Sequence, residues 1–482
     1  MIPLQIPMPE SSPSFGGLLG YRIAIGSMFE LHILLAGAVS GATQLGPFLE
    51  WLGHMRGRKS YERLARGMGT FLVYYFAFGS AVAILLIAVL LTALWGHGWA
   101  VINRVAFWPF YIEAWTFVLM VVGVYVWHYT WDVLSRWKWL HMAIGGLLVI
   151  ASFIQVSMID IVASYMLTPT PPQNPIAVFL NPTWYPLQIH RMIANLAYIG
   201  YLIAAFSAFK YLRAKTDDGR AFYDWSGSLG ILWGTALTLL QPVVGYSYAK
   251  EVQLHAYGAW YKMMLGNLSA EFLAQITLLG LMLTAAAWYF WIRLRRQKAP
   301  GTMVLGSLTC LLVVTTLFAA LPYQTTATFD QAQALGLNRP FWEGGAINPF
   351  AAMIPYKITA LIAYTVFAIA AVFWFLRGLP DVRWGGAGRS EQRILLVSGV
   401  LVTAMIVLMG FIRENSRFPD LVSGHIQIFH QQTITIPNVQ PGGGNVEYPA
   451  PGSGPRPAPA TGASPNPGSS PIPTSSPAPS PP

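Results

Sequence analysis

Long apolar runs separated by short polar connections occupy the chain up to about residue 412. Ten stretches stand out: 22–50, 68–95, 108–131, 139–166, 186–212, 225–247, 268–292, 302–321, 354–376 and 394–412. A helix needs about 20 apolar residues to cross a bilayer, and these runs reach that length or come close to it. They are too long, and too poor in strict alternation, for barrel strands. The pattern predicts an all-α, polytopic membrane helix bundle of about ten transmembrane helices. The first residues lack a basic stretch and a cleavage signature, so no removable signal peptide is expected.

Composition agrees with this. Of 482 residues, 54% are hydrophobic and only 10% charged, far less charge than a soluble chain of this length carries. The net charge of +10 does not mark a nucleic-acid partner. Lys and Arg gather in every second connection: Arg56, Arg58, Lys59, Arg63 and Arg66; Arg136 and Lys138; Lys210, Arg213, Lys215 and Arg220; Arg293, Arg295, Arg296 and Lys298; Arg377, Arg383, Arg389 and Arg393. The intervening connections are nearly bare. Such asymmetry orients a polytopic chain with its basic loops in the cytoplasm and predicts both termini outside it. Most of the 18 Trp and 22 Tyr residues fall near span ends, as an interfacial belt requires.

A single cysteine, Cys310, excludes an internal disulfide, a covalent c-type haem and a cysteine-held iron–sulfur cluster. Residues 421–482 form a Pro/Gly/Ser-rich extracytoplasmic tail by this reading. From residue 441 on, it is too poor in large apolar groups to order itself.

Ionisable groups at membrane depth cost about 2.5–3.5 kcal/mol each on insertion scales, so each needs a reason. They are Glu30, His32, Glu113, His128, His141, Asp160, His190, Arg191, Glu271 and Lys357, with Glu414 and Arg417 just past the last span. His32 and His190 fit either a hydrogen bond to a neighbouring helix or axial ligation of haem iron by neutral imidazole. Two such residues on separate helices suit a bundle that holds cofactors between facing helices. His128 and His141 flank a basic loop and read as structural. Glu113 is either a protonated, hydrogen-bonded carboxyl or a proton-conducting one. Glu30 and His32, two residues apart, face different directions on a helix, so Glu30 is expected to meet another helix. His425 and His430 lie beyond the last span and read as part of a surface segment.

Several stretches together resemble subunit I of the cytochrome bd quinol oxidases. Arg22 precedes His32 by ten residues. "LEWLGHMRGRKSYERLARGMGTFLVYYFAFGSAVAI", "FWPFYIEAWTFVLM", "YTWDVLSRWKWLHM" and "LQIHRMIANLAYIGYLI" follow in the family's order, and "GFIRENSRFP" resembles its late Glu-x-x-Arg-x-Pro segment. The resemblance covers roughly 20–250 and 350–420. It implies a haem-binding chain that transfers electrons from quinol, or another donor, to O2 with water as product.

The resemblance also implies site residues. His32, His190 and Glu414 would be iron ligands, Arg417 and Lys357 would help bind haem, and Glu113 and Glu30 would serve catalysis. The implied cofactors are haem b, with haem d or a second high-spin haem b. The implied partners are the membrane, a second integral-membrane oxidase subunit of the subunit II type, and quinol or a soluble electron donor. The implied setting is a bacterial or archaeal cytoplasmic membrane.

Departures are equally specific. Lys357 stands where the family has arginine, and Ile358 or Thr359 where it has the methionine that completes the low-spin haem. A second third-helix glutamate is replaced near Leu119–Val121. The quinol loop is altered over 251–350 and runs into two extra helices; Lys250, Glu251, His255 and Lys262 are its candidate donor-site residues. The expected layout is therefore an N-terminal segment (1–21), family-like helices 1–6 (22–250), the altered region (251–350), family-like helices with the Glu414 segment (351–420), and the tail (421–482). Two other functions suit the same chain: a haem-bearing electron conduit without oxidase activity, and a transporter or structural membrane subunit.

Overall fold

A computed structural model describes residues 17–86, 91–92, 99, 102–103, 105–168, 177–264, 268–320 and 354–416. Among the described residues the chain is built of α-helices joined by short turns and 3-10 segments. They are α1 (Gly17–Arg56), α2 (Lys59–Ile84), α3 (Phe107–Tyr129), α4 (Lys138–Leu167), α5 (Trp184–Arg213), α6 (Asp217–Thr238), α7 (Gln241–His255), α8 (Tyr257–Met264), α9 (Ser269–Arg296), α10 (Thr302–Ala320), α11 (Ile354–Gly378) and α12 (Arg389–Ser416). In its described part, each of the ten apolar runs falls mainly on one of these helices or on a joined pair. By length and composition, nine helical spans among the described residues can cross a membrane, and α1, at 40 residues, is long enough to do so as well.

The helices form two packed groups that share α5. In one, α1, α2, α3 and α4 bury Leu45, Leu72, Val124, Trp127 and Leu148, closed by Ile199 and Ile203 of α5. In the other, α5 and α6 meet α9–α12 around Tyr201, Tyr289, Phe290, Tyr364 and Phe375. The rings of Phe290 and Phe375 stack with centroids 4.2 Å apart.

Contact between α5 and α6 depends on residues without side chains. A Cβ at Gly200 would lie 2.6 Å from the backbone nitrogen of Gly234, and one at Gly230 would lie 2.6 Å from the carbonyl oxygen of Gly200. Helices in lipid gain little from hydrophobic exclusion and associate through such close packing. Replacing Gly200 with valine is expected to force these helices apart at a cost of about 1–3 kcal/mol. A fall in the detergent-solubilised protein's Tm, absent for Gly146→Val, whose added Cβ would meet nothing, checks this.

Polar contacts close one end of the bundle. Thr216 caps α6 by accepting from the Gly219 amide at 3.2 Å, with Asp217 and Asp218 in the first turn where the helix dipole favours anions. Arg63 pairs with Asp218 at 2.8 Å and Arg66 with Asp132 at 2.5 Å. The buried Arg293 of α9 pairs with Asp224 of α6 at 2.5 Å, and Asp224 also accepts from the Gly385 amide at 2.7 Å. These contacts bring the basic connections to one end, as the charge pattern predicts. The apolar run 225–247 is divided: α6 ends at Thr238, and α7 restarts with Pro242 in its first turn, where a missing N–H costs nothing.

Candidate functional site

Away from the basic end, the intramembrane polar groups gather where α1, α4, α5, α7 and α12 approach one another. His190 lies near the start of α5, and its Nδ1 is buried with no hydrogen-bond partner. The covering element is α7. Gly245 presents bare backbone to the ring, since a Cβ there would sit 3.4 Å from its Cε1. Tyr248 stacks on the imidazole with centroids 6.1 Å apart and planes 25° apart. Gln241 donates from Nε2 to the His190 carbonyl at 3.3 Å. Gln241, Gly245, Tyr248 and Val252 follow helical spacing, so one stripe of α7 faces α5.

Arg191, the next residue, points into the same region. Its Nε lies 2.8 Å from Oδ1 of Asp160 on α4; His32 of α1 is half-buried. Asp160 is completely buried. From α12, Arg413 donates Nη2 to the Ala163 carbonyl at 2.9 Å, one turn along α4. Glu30 does meet another helix: its carboxylate packs against Gly410 of α12, where any Cβ would clash with it at 2.5 Å. Glu113 of α3 accepts from Nε2 of Gln155 on α4 at 3.1 Å, a partner that the local pattern does not signal.

Lys357 on α11 is 4% exposed, and its Nζ meets no hydrogen-bond partner. Its nearest described compensation is the ring of Phe272, 5.3 Å from Nζ to the centroid. A buried ammonium without a carboxylate is costly. Ile358, one of the two residues expected at the methionine position, is 50% exposed and so faces away from the interior; Met353 lies outside the described residues.

Of the candidate donor residues, Lys250 lies on the other side of α7 by helical spacing. Lys250 donates to Oε1 of Gln253 at 2.8 Å, and His255 lies 3.3 Å from Glu251, with both side chains partly open. The side chains of Lys262, Glu414 and Arg22, and all of Arg417, His425 and His430, lie outside the described residues, as does the tail.

One buried network went unread in the sequence. Glu50 of α1, fully buried, accepts from Nε1 of Trp127 at 2.9 Å and meets Nδ1 of His141 at 2.6 Å and Nζ of Lys138 at 2.6 Å. The other ring nitrogen of His141 faces the Trp127 carbonyl at 2.8 Å. His141 is thus structural, as expected, but within a polar core of α1, α3 and α4 and not at a surface.

Among the described residues no group of three or more His, Cys, Asp or Glu could hold a bare metal ion. His32 and His190 stand on separate helices, α1 and α5.

The model of the family described as "Cytochrome bd terminal oxidase subunit I" matches residues 21–258. No curated protein matches the chain. A solved structure of the bd oxidase from Geobacillus thermodenitrificans is similar at 16% identity, covering 83% of this chain and 99% of that one with a TM-score of 0.47, and carries no further argument. The matched region spans α1 to the start of α8 and holds His32, Glu113, Asp160, His190, Tyr248 and the candidate donor residues Lys250, Glu251 and His255. Through residues 21–258, the chain belongs to the cytochrome bd terminal oxidase subunit I family.

Proposed function

We propose that this protein is the haem-binding subunit I of a bd-type terminal oxidase, passing electrons from quinol or another donor to O2 with water as product. The observation that carries this reading is His190: a buried imidazole nitrogen with no protein partner, stacked under Tyr248 and set over a glycine. Buried polar atoms are almost always satisfied, so an orphaned one at membrane depth calls for a ligand. The unpaired Nζ of Lys357 makes the same demand with opposite chemistry, for an anionic group. An iron porphyrin presents both a Lewis-acidic metal and carboxylates, so the residues fit it.

His32 and His190 would hold iron from α1 and α5, with Glu414 a third candidate ligand on α12 and Arg417 beside it. Lys357 would neutralise a haem carboxylate. When bound, haem supplies the electron storage and the dioxygen-binding metal that no side chain provides. The protein's part is to exclude water, orient the imidazoles and deliver protons. Four electrons and four protons convert one O2 to two waters, and Glu113, held toward α4 by Gln155, is one described carboxyl that could store a proton for that step; Glu30 is the second. Lys250, Glu251, His255 and Lys262 would receive the donor outside α7. A subunit II-type partner in the same cytoplasmic membrane completes the assembly.

A reduced-minus-oxidised spectrum of the purified membrane protein tests the reading. Haem bands are expected, and His32→Ala should diminish them. A colourless protein, made with ample porphyrin supply, overturns it. The conduit reading draws on one observation, the outward-facing Ile358 where the family places methionine or its neighbour. Full haem content without oxygen consumption would favour it.

A further inference from the structure

Asp160 has no place in the chemistry above, yet it sits among the groups that carry it. It is buried on every side, and two arginines approach its stretch of α4 from two other helices. Arg191 of α5 is 2.8 Å from its carboxylate, and Arg413 of α12 extends to the carbonyl of Ala163, one turn on. Each arginine adjoins a candidate iron ligand in the chain: Arg191 follows His190, and Arg413 precedes Glu414. The stretch of α4 around Asp160 therefore meets the two helices that carry His190 and Glu414.

We propose that Asp160 is a positioning residue for these sites, acting through Arg191 and Arg413 and setting the charge that the bound iron experiences; this rests on the haem reading above. Negative charge near iron favours the ferric form, which carries one charge more than the ferrous. Asp160 would supply such a charge at membrane depth, and it holds Arg191 to α4. In low dielectric such a charge is felt strongly.

The test is a spectroelectrochemical titration of the purified membrane complex, comparing wild type with Asp160→Asn and Asp160→Glu. Asparagine keeps the shape and removes the anion. The expected result is retained haem with an upward midpoint shift of about 59 mV, a tenfold change in the reduced-to-oxidised ratio for one electron. Glutamate should restore the wild-type value. An unchanged or lowered midpoint in Asp160→Asn, at full haem content, overturns this inference alone. If that variant does not fold, Arg413→Gln decides: a lowered midpoint supports the proposal, and an unchanged or raised one overturns it. A wild-type protein without haem overturns both this inference and the function on which it rests.

Discussion

Replacing His190 with alanine is expected to remove one complete haem signal from the purified protein while leaving the helical fold intact. The ring is the only part of the residue in question. Its backbone carbonyl, which accepts from Gln241 at 3.3 Å, survives the change. What disappears is the unpaired Nδ1 and the face against which Tyr248 stacks. Difference spectroscopy reads the loss, and circular dichroism reads the fold. Gly245 supplies an independent arm. A Cβ there would lie at ordinary contact distance, 3.4 Å, from the ring, so Gly245→Ala should keep the signal. Gly245→Leu should press the imidazole out of place and reduce it. Retention of the full spectrum in His190→Ala would remove the reason for assigning iron to α5.

The second large effect concerns stability. Glu50→Leu is expected to destabilise the protein by about 3–5 kcal/mol, the usual cost of removing one partner from a buried ion pair. Three donors converge on the Glu50 carboxylate, from Trp127, His141 and Lys138. Leucine would strand all three inside the α1, α3 and α4 contact. The indole of Trp127 is fully buried and cannot turn to water. Lys138 is the least affected, since its side chain keeps some exposure. Thermal unfolding in detergent, followed by tryptophan fluorescence, measures the effect. A Tm equal to wild type would show that the network contributes nothing net. Lys138→Met should cost far less, and that contrast separates loss of a buried charge from general disturbance of the helix.

The helices were legible because hydropathy and length are local properties. The ten apolar runs fall on helices because backbone groups in lipid must be satisfied within the segment. The α6–α7 division inside the run 225–247 coincides with another local feature, Pro242 in the first turn of α7. The sites were legible only in part. His32, His190, Glu113 and Lys357 announce themselves as ionisable groups in apolar surroundings. Their partners do not. Gln155 is one more polar residue on α4 until α3 packs beside it, and Glu50 stands at a helix end where a carboxylate looks solvated. The role of Arg191 depends on Asp160, 31 positions away in sequence. Pairings of that kind arise from helix arrangement, which no window of residues reports. Gly410 illustrates the converse: its lack of a side chain makes sense only once Glu30 lies against it.

The two-sided character of α7 bears on electron delivery. One stripe of this helix rests on His190, and the opposite side displays Lys250. A helix with its side chains is about 10–12 Å across. A reductant seated on the outer side would therefore stand roughly one helix width from the imidazole. Tunnelling over so short a gap needs no intermediate carrier, so the identity of the reductant could change through surface substitutions on α7 while the interior stayed as it is.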